Sequence, residues 1–248
     1  MLRNRLITVL TFNEGVLFRT KNFEPDYRYT HNFIDSWSVD EMVILNITRN
    51  KLTKDDKFFD VMTKFASNCF VPLTIGGGIR SISDVKKFLD MVADKVILNS
   101  GALENPDLIS EVAKRYGKQC VVVSVDVKKD DDWTYQVYDT FGSKNTKKDP
   151  ISWVKEAEIL GAGEILLNSI DLDGSLLGYD LKLCKKVSEV LEIPLLICGG
   201  AGNWKHFAEA LKEGNVAGFC TSNIYHFTET SIKSAKNYLK NNGFNIRE

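Results

Sequence analysis

The sequence predicts an α/β protein folded as a (β/α)8 TIM barrel, a single domain over residues 1–248, on three observations. Eight short apolar, β-branched runs recur along it, stretches of helical period separate most of them, and the second half repeats the first. Eight strand–helix units in 248 residues leave about 31 residues for each, the length of one βα element. The runs are continuously apolar, as strands covered on both faces are. A doubly wound open sheet is the competing fold, and its usual order uses fewer strands.

The eight runs, in order, are LITVL (6–10), MVIL (42–45), VPLTI (71–75), KVIL (95–98), VVVSV (121–125), EILL (164–167), IPLLI (193–197) and VAGFC (216–220). Helical segments fall between them: SDVKKFLDMV, PDLISEVAKRYG, WVKEAEILGAG, DLKLCKKVSEVL and WKHFAEALKEG. Two stretches break the rhythm. Residues 13–30 are expected as a long polar and aromatic loop after the first strand, and residues 129–148 alternate like a small hairpin after the fifth. Both belong on the face where barrel enzymes keep their chemistry, as a lid, a substrate contact or a plain surface insertion.

The repeat supports closure. Gly77 and Gly200 lie 123 residues apart, and Leu45-Asn46-Ile47 recurs as Leu167-Asn168-Ser169, 122 residues on. Each half therefore reads as a (βα)4 unit whose open edges need the other half, which predicts a pseudo-twofold axis.

Composition narrows the function classes. With 32 basic and 33 acidic residues the formal charge is −1, so neither nucleic acid nor an anionic membrane is an expected partner. The apolar stretch at the N-terminus is too short for a bilayer, and a soluble cytoplasmic protein is expected. Five cysteines with no C-x-x-C spacing read as free buried thiols, and His31, His206 and His226 are scattered, so no metal and no cofactor are expected.

Gly76-Gly77-Gly78 and Gly199-Gly200 each close an apolar run, and the next unit of each half opens on small polar residues, Asn99-Ser100 and Thr221-Ser222. Glycine turns at the ends of strands expose backbone N–H groups to an anion. Paired in this way they suggest a ligand with a phosphate at each end; tight βα turns are the simpler use of the same glycines. A third turn, SIDLDGSLLGYD, sets Asp173-Gly174 beside the second pair, for proton transfer or for Asx turns.

The motifs IGGGIR, NSGALENP, VSVDVK, GAGEILLNSIDLDGSLLGYD, ICGGAG and the terminal HF-x-E closely resemble the cyclase (synthase) subunit of imidazole glycerol phosphate synthase, of histidine biosynthesis, over essentially the full length. The resemblance implies a barrel that docks a glutaminase subunit at its N-terminal face and receives ammonia along its axis. The ammonia is added to a bisphosphorylated ribulosyl substrate at the top. Carried over by motif, one phosphate lies at Gly78, Asn99 and Ser100, the other at Asp173, Gly174, Gly200, Thr221 and Ser222, with Arg19 standing where the family has a lysine. Arg5, Glu41, Lys95 and Glu164 match the family's charged gate; a salt-bridged plug closing the floor is the structural alternative. Alternation puts Arg5 with Thr11, Lys95 with Asn99 and Glu164 with Asn168 on shared faces, but separates Glu41 from Asn46.

The catalytic pair is where the chain departs. The family uses two aspartates as acid and base. Asp126 keeps one, and Thr11 stands in place of the other. A threonine hydroxyl does not trade protons near neutral pH, and such a step contributes ~10² to 10⁴-fold. Asn46 and Asn168 also depart from the pattern, as does TFGSKNT in the loop after the fifth strand. Three functions follow: a barrel that guides ammonia to another acceptor, with weakened or lost cyclase activity; an authentic cyclase subunit that tolerates Thr11; or a non-catalytic barrel that binds a bisphosphate. The first is similar to second-copy proteins associated with amidination of bacterial surface sugars, and it implies a third, ATP-dependent enzyme. Trp204 and Phe207 are read as packing residues, His226 as a helix-start contact, and Lys128 to Asp132 as a solvated hairpin.

Overall fold

The structure, a computed structural model, describes residues 4–28, 39–49, 56–66, 69–222 and 232–247. Strand β1 (Arg5–Asn13) runs into β2 (Val16–Lys21) and β3 (Glu24–Arg28); β4 (Glu41–Asn46) leads to helix α1 (Asp56–Ala66). Next come β5 (Leu73–Gly76), α2 (Ile82–Met91), β6 (Lys95–Leu98), the short α3 (Ser100–Glu104) and α4 (Asp107–Tyr116). β7 (Val121–Lys129) carries β8 (Tyr135–Asp139) and β9 (Lys144–Asn145), followed by α5 (Pro150–Leu160), β10 (Glu164–Ser169) and α6 (Leu181–Ser188). The last elements are β11 (Leu195–Cys198), α7 (Trp204–Glu213), β12 (Gly218–Thr221) and α8 (Ile232–Asn241).

Eight strands, β1, β4, β5, β6, β7, β10, β11 and β12, pair in parallel in chain order, and β12 closes on β1. Each of the eight apolar runs supplies one of them. The fold is a (β/α)8 TIM barrel. Four helices begin on side-chain caps, with Ser81, Asp149, Asp180 and Asn203 each accepting from a backbone N–H of the first turn; each cap stabilises its helix by about 1 kcal/mol.

Side chains divide into two layers. Between barrel and helices lie the large rings, among them Phe12, Phe58, Trp153, Phe207 and Phe219, all fully buried. Trp204 and Phe207 pack as expected, with ring centroids 5.6 Å apart. Inside the barrel a smaller cluster fills the axis: Ile7, Val9, Val43, Ile97, Val122, Leu166, Leu196 and Cys220.

Two expectations need correction. Residues 13–30 are not a loop as far as they are described: β1 turns at Glu14-Gly15 and folds back as β2, with Asn13 opposite Val16 and Thr11 opposite Phe18. Both turn residues are left-handed (φ 51° and 75°), the geometry of a two-residue hairpin turn. Residues 29 and 30, like His31 and His226, lie outside the described residues. The internal repeat is also displaced by one residue in the second strand of each half. Glu41, Val43 and Leu45 share the interior face of β4, as Glu164, Leu166 and Asn168 do in β10, so Leu45 corresponds to Asn168 and Asn46 to Ser169. The LN dipeptide recurs in the sequence but not at the same position in the barrel.

Register then settles the symmetry of the rim. β1 sets Thr11 opposite Leu45, and β7 sets Asp126 opposite Asn168. The pseudo-twofold axis therefore exchanges Thr11 with Asp126.

Candidate functional site

Parallel strands in a closed barrel place all their N-terminal ends on one rim. Arg5, Glu41, Lys95 and Glu164 open β1, β4, β6 and β10 and meet there as a ring. Arg5 Nη1 reaches Glu41 Oε2 at 2.7 Å and its Nη2 reaches Glu164 Oε1 at 2.8 Å. Lys95 Nζ closes the circle, 3.0 Å from Glu41 Oε1 and 2.9 Å from Glu164 Oε2. Thr74 Oγ1 donates to Glu41 Oε1 at 2.8 Å, a member the sequence offered no signal for. Burial tends to lower the Arg5 pKa, but Glu164 and Glu41 outweigh it and hold the guanidinium above its ordinary value. Above this ring the axis is closed by the aliphatic cluster.

At the opposite rim a cavity of about 410 Å³ opens over that cluster. Among the expected site residues, Thr11, Gly78, Asn99, Ser100, Asp126, Asp173 and Ser222 line it. Asp126, only 6% exposed, sits among amides and hydroxyls: Asn99 Nδ2 donates to its Oδ2 at 2.6 Å, Ser124 Oγ to its Oδ1 at 3.1 Å, and Asn168 Nδ2 to Oδ1 at 3.4 Å. Burial pushes its carboxyl from 3.8 up to about 6, against these hydrogen bonds, with the Asp139 charge adding to the rise. The side-chain oxygens of Asn99 and Asn168 are buried without a partner. Thr11, at the symmetric position, spends its hydroxyl on a short hydrogen bond to the Phe18 carbonyl.

Asp173 lines the same cavity from the loop after β10. Burial raises its pKa, opposed by the Phe23 N–H and the Thr20 hydroxyl. The remaining expected residues stand further back. Gly174 turns at φ 70° under the β2 backbone, where a Cβ would meet the Thr20 carbonyl at 2.7 Å. Gly200 is packed against Gly178, whose N–H donates to its carbonyl at 2.7 Å. Thr221 is buried beside Ser222 at the end of β12. Arg19 is engaged by Asp26, Nε to Oδ2 at 2.8 Å, and does not line the cavity; Arg49 and Arg80 do. Cys198 faces the cavity with a thiol that burial pushes up to about 12, so thiolate chemistry is disfavoured. Among the described residues no His/Cys/Asp/Glu group is arranged to hold a metal, and no helix is long and apolar enough to cross a membrane.

Residues 8–231 match the family described as Histidine biosynthesis protein. The chain belongs to that family. It is 41% identical over 253 aligned positions to the imidazole glycerol phosphate synthase subunit HisF of Hydrogenobaculum sp. (strain Y04AAS1), covering all of both chains. To the HisF subunit of Campylobacter concisus (strain 13826) it is 48% identical, covering 84% of this chain and 81% of the relative. The HisF subunit of Natranaerobius thermophilus is 39% identical with both chains fully covered. The name of these relatives makes each one subunit of a synthase, and this chain matches the histidine biosynthesis family along nearly its whole length.

Proposed function

We propose that this chain is a single-domain, cytoplasmic barrel subunit of a glutaminase-dependent complex. It takes ammonia from a HisH-like glutaminase docked on the ionic ring and delivers it at the opposite rim, with cyclase activity weakened or lost. One observation carries this reading: the symmetry partner of Asp126 is Thr11, whose hydroxyl is already donated to a backbone carbonyl. Ring closure and bond cleavage need one group to remove a proton and another to return it. Asp126, with a carboxyl near 6, is suited to one of these tasks. Arg5, Glu41, Lys95 and Glu164 form the gate; Gly78, Asn99 and Ser100 on one side, and Asp173, Gly174, Gly200, Thr221 and Ser222 on the other, frame the phosphorylated ligand, with Arg19 at the edge. The final acceptor of ammonia is then a substrate of a third, ATP-dependent enzyme.

A second reading, an authentic cyclase subunit, is favoured by Asp173. It is another buried carboxylate with a raised pKa on the same cavity, and full-length relatives carry the HisF name. One assay separates the two. Purified protein is given the ribulosyl bisphosphate substrate and an ammonium salt, and imidazole product is measured. The proposal expects turnover at least ~10²-fold below that of a relative with both carboxylates, recovered in part by Thr11→Asp. Full turnover by the wild type establishes the second reading, and Asp173→Asn then abolishes it.

A further inference from the structure

The cation expected over the ligand, Arg19, is held away from it. Its Nε and Nη2 reach the same oxygen of Asp26, Oδ2, at 2.8 and 2.6 Å across β2 and β3, and it does not line the cavity. Arg49 and Arg80 do. Arg80 leans on Glu104 of α3, 3.1 Å from Nη2 to Oε1.

Arg49 lies just beyond the end of β4, and Asn46, which ends that strand, is packed under the glycine turn: a Cβ on Gly77 would meet the Asn46 carbonyl at 2.3 Å. From there the Arg49 side chain reaches both insertions that border the cavity. Nη2 donates to Glu24 Oε1 at 2.7 Å and to the Phe23 carbonyl at 3.3 Å, and Cζ stands 5.1 Å from the centre of the Phe141 ring, a cation–π contact. Phe141 closely follows Asp139, which accepts a short hydrogen bond from Ser100. The stacked guanidinium therefore stands on the Ser100 side of the mouth.

A guanidinium carries five N–H donors in a fixed fork. Among the described residues only Nη2 of Arg49 has partners, and the Glu24 side chain is 64% exposed. An exposed pair of this kind is worth at most about a fivefold preference. A phosphate taken by two prongs of the fork is held more strongly and displaces Glu24.

We propose that Arg49, and not Arg19, supplies the cationic contact to the ligand phosphate at Gly78, Asn99 and Ser100, exchanging Glu24 for that phosphate while Arg19 stays paired with Asp26. This rests on the reading that the cavity holds a phosphorylated ligand, and it adds a binding residue that the family motif does not mark.

The probe is the ribulosyl bisphosphate substrate, titrated by calorimetry into the full-length protein without ammonium salt. Arg49→Ala is expected to weaken binding about tenfold, and Arg49→Lys about threefold, because lysine keeps the charge but loses the fork and the stacked ring. Arg19→Ala should change it less than twofold, and Glu24→Gln should tighten it. Ser222→Ala, on the opposite cradle, should weaken it about tenfold and so report occupancy of the cavity. Binding by Arg49→Ala within twofold of the wild type, or an equal loss in Arg19→Ala, overturns the inference, and a loss in Ser222→Ala then leaves the phosphate reading intact. No binding by the wild type overturns both. Arg49 is exposed, so its variants are expected to fold, and Glu24→Gln tests the exchange without altering the arginine.

Discussion

At the base of the barrel two carboxylates and two cations share every charge: Glu41 and Glu164 each touch both Arg5 and Lys95. At the rim, Asp126, Asp139 and Asp173 are buried with amides, hydroxyls and backbone N–H groups for company and, among the described residues, no ion pair. The contrast separates two uses of buried charge. In the ring, Glu164 and Glu41 hold the Arg5 guanidinium above its ordinary value. At Asp126 and Asp173 burial raises the carboxyl above its ordinary value, toward the range in which it can exchange a proton.

The largest expected effect is at the base. Glu41→Ala strips Arg5 and Lys95 of a shared partner that is 2% exposed, and removing one member of a buried ionic network costs about 3–5 kcal/mol. Thermal denaturation checks it, and a loss below about 1 kcal/mol would mean that the ring is solvated and not neutralising.

The rim should behave in the opposite sense. Burial pushes the Asp126 carboxyl up to about 6, against 3.8 for an unperturbed one, so the folded protein holds the proton more tightly than the unfolded chain. Stability conferred by this group is therefore greatest at low pH and falls as pH rises through about 4 to 6, by about 3 kcal/mol in total. Asp126→Asn removes the titration. Urea midpoints should show the variant more stable than wild type at neutral pH and the two converging below about pH 4; parallel curves at all pH values would place Asp126 in a solvated or paired setting.

Thr11→Asp brings the two rim positions into register chemically as well as geometrically. It aims a carboxylate at the Phe18 carbonyl that now accepts from Thr11, and a cost of about 1–3 kcal/mol is expected in the same urea experiment. The smallest effect falls on a conventional exposed pair. Arg19→Ala breaks the contact with Asp26, whose side chain is 36% exposed, and should shift stability by less than about 1 kcal/mol.

The barrel was legible because burial on both faces writes each strand as an unbroken apolar run, and all eight runs became strands. The ring residues were legible as strand openers and through the resemblance; alternation supported Arg5, Lys95 and Glu164 and separated Glu41 from Asn46, which the structure keeps on different faces. Other features were not visible. Thr74 joins the ring because β5 pairs alongside β4, and Ser124 reaches Asp126 from two residues back on the same strand; neither contact is marked in the apolar runs that hold them. Asp139 fell within the 129–148 stretch read only as a small hairpin, and its burial comes from packing of β8 on β7, which no local pattern records. The hairpin of residues 13–28 was hidden by its polar composition, and the displaced repeat by a dipeptide that recurs in sequence on the wrong face.

The aliphatic girdle between the two ends has its own consequence. Any traveller along the axis must part the side chains of Ile7, Val43, Val122 and Leu166 and leave its hydration shell behind. For an ion that step is forbidding, whereas a small uncharged molecule loses little by it. The barrel is in this sense a dielectric sieve, and its middle third keeps the protons of one end from those of the other.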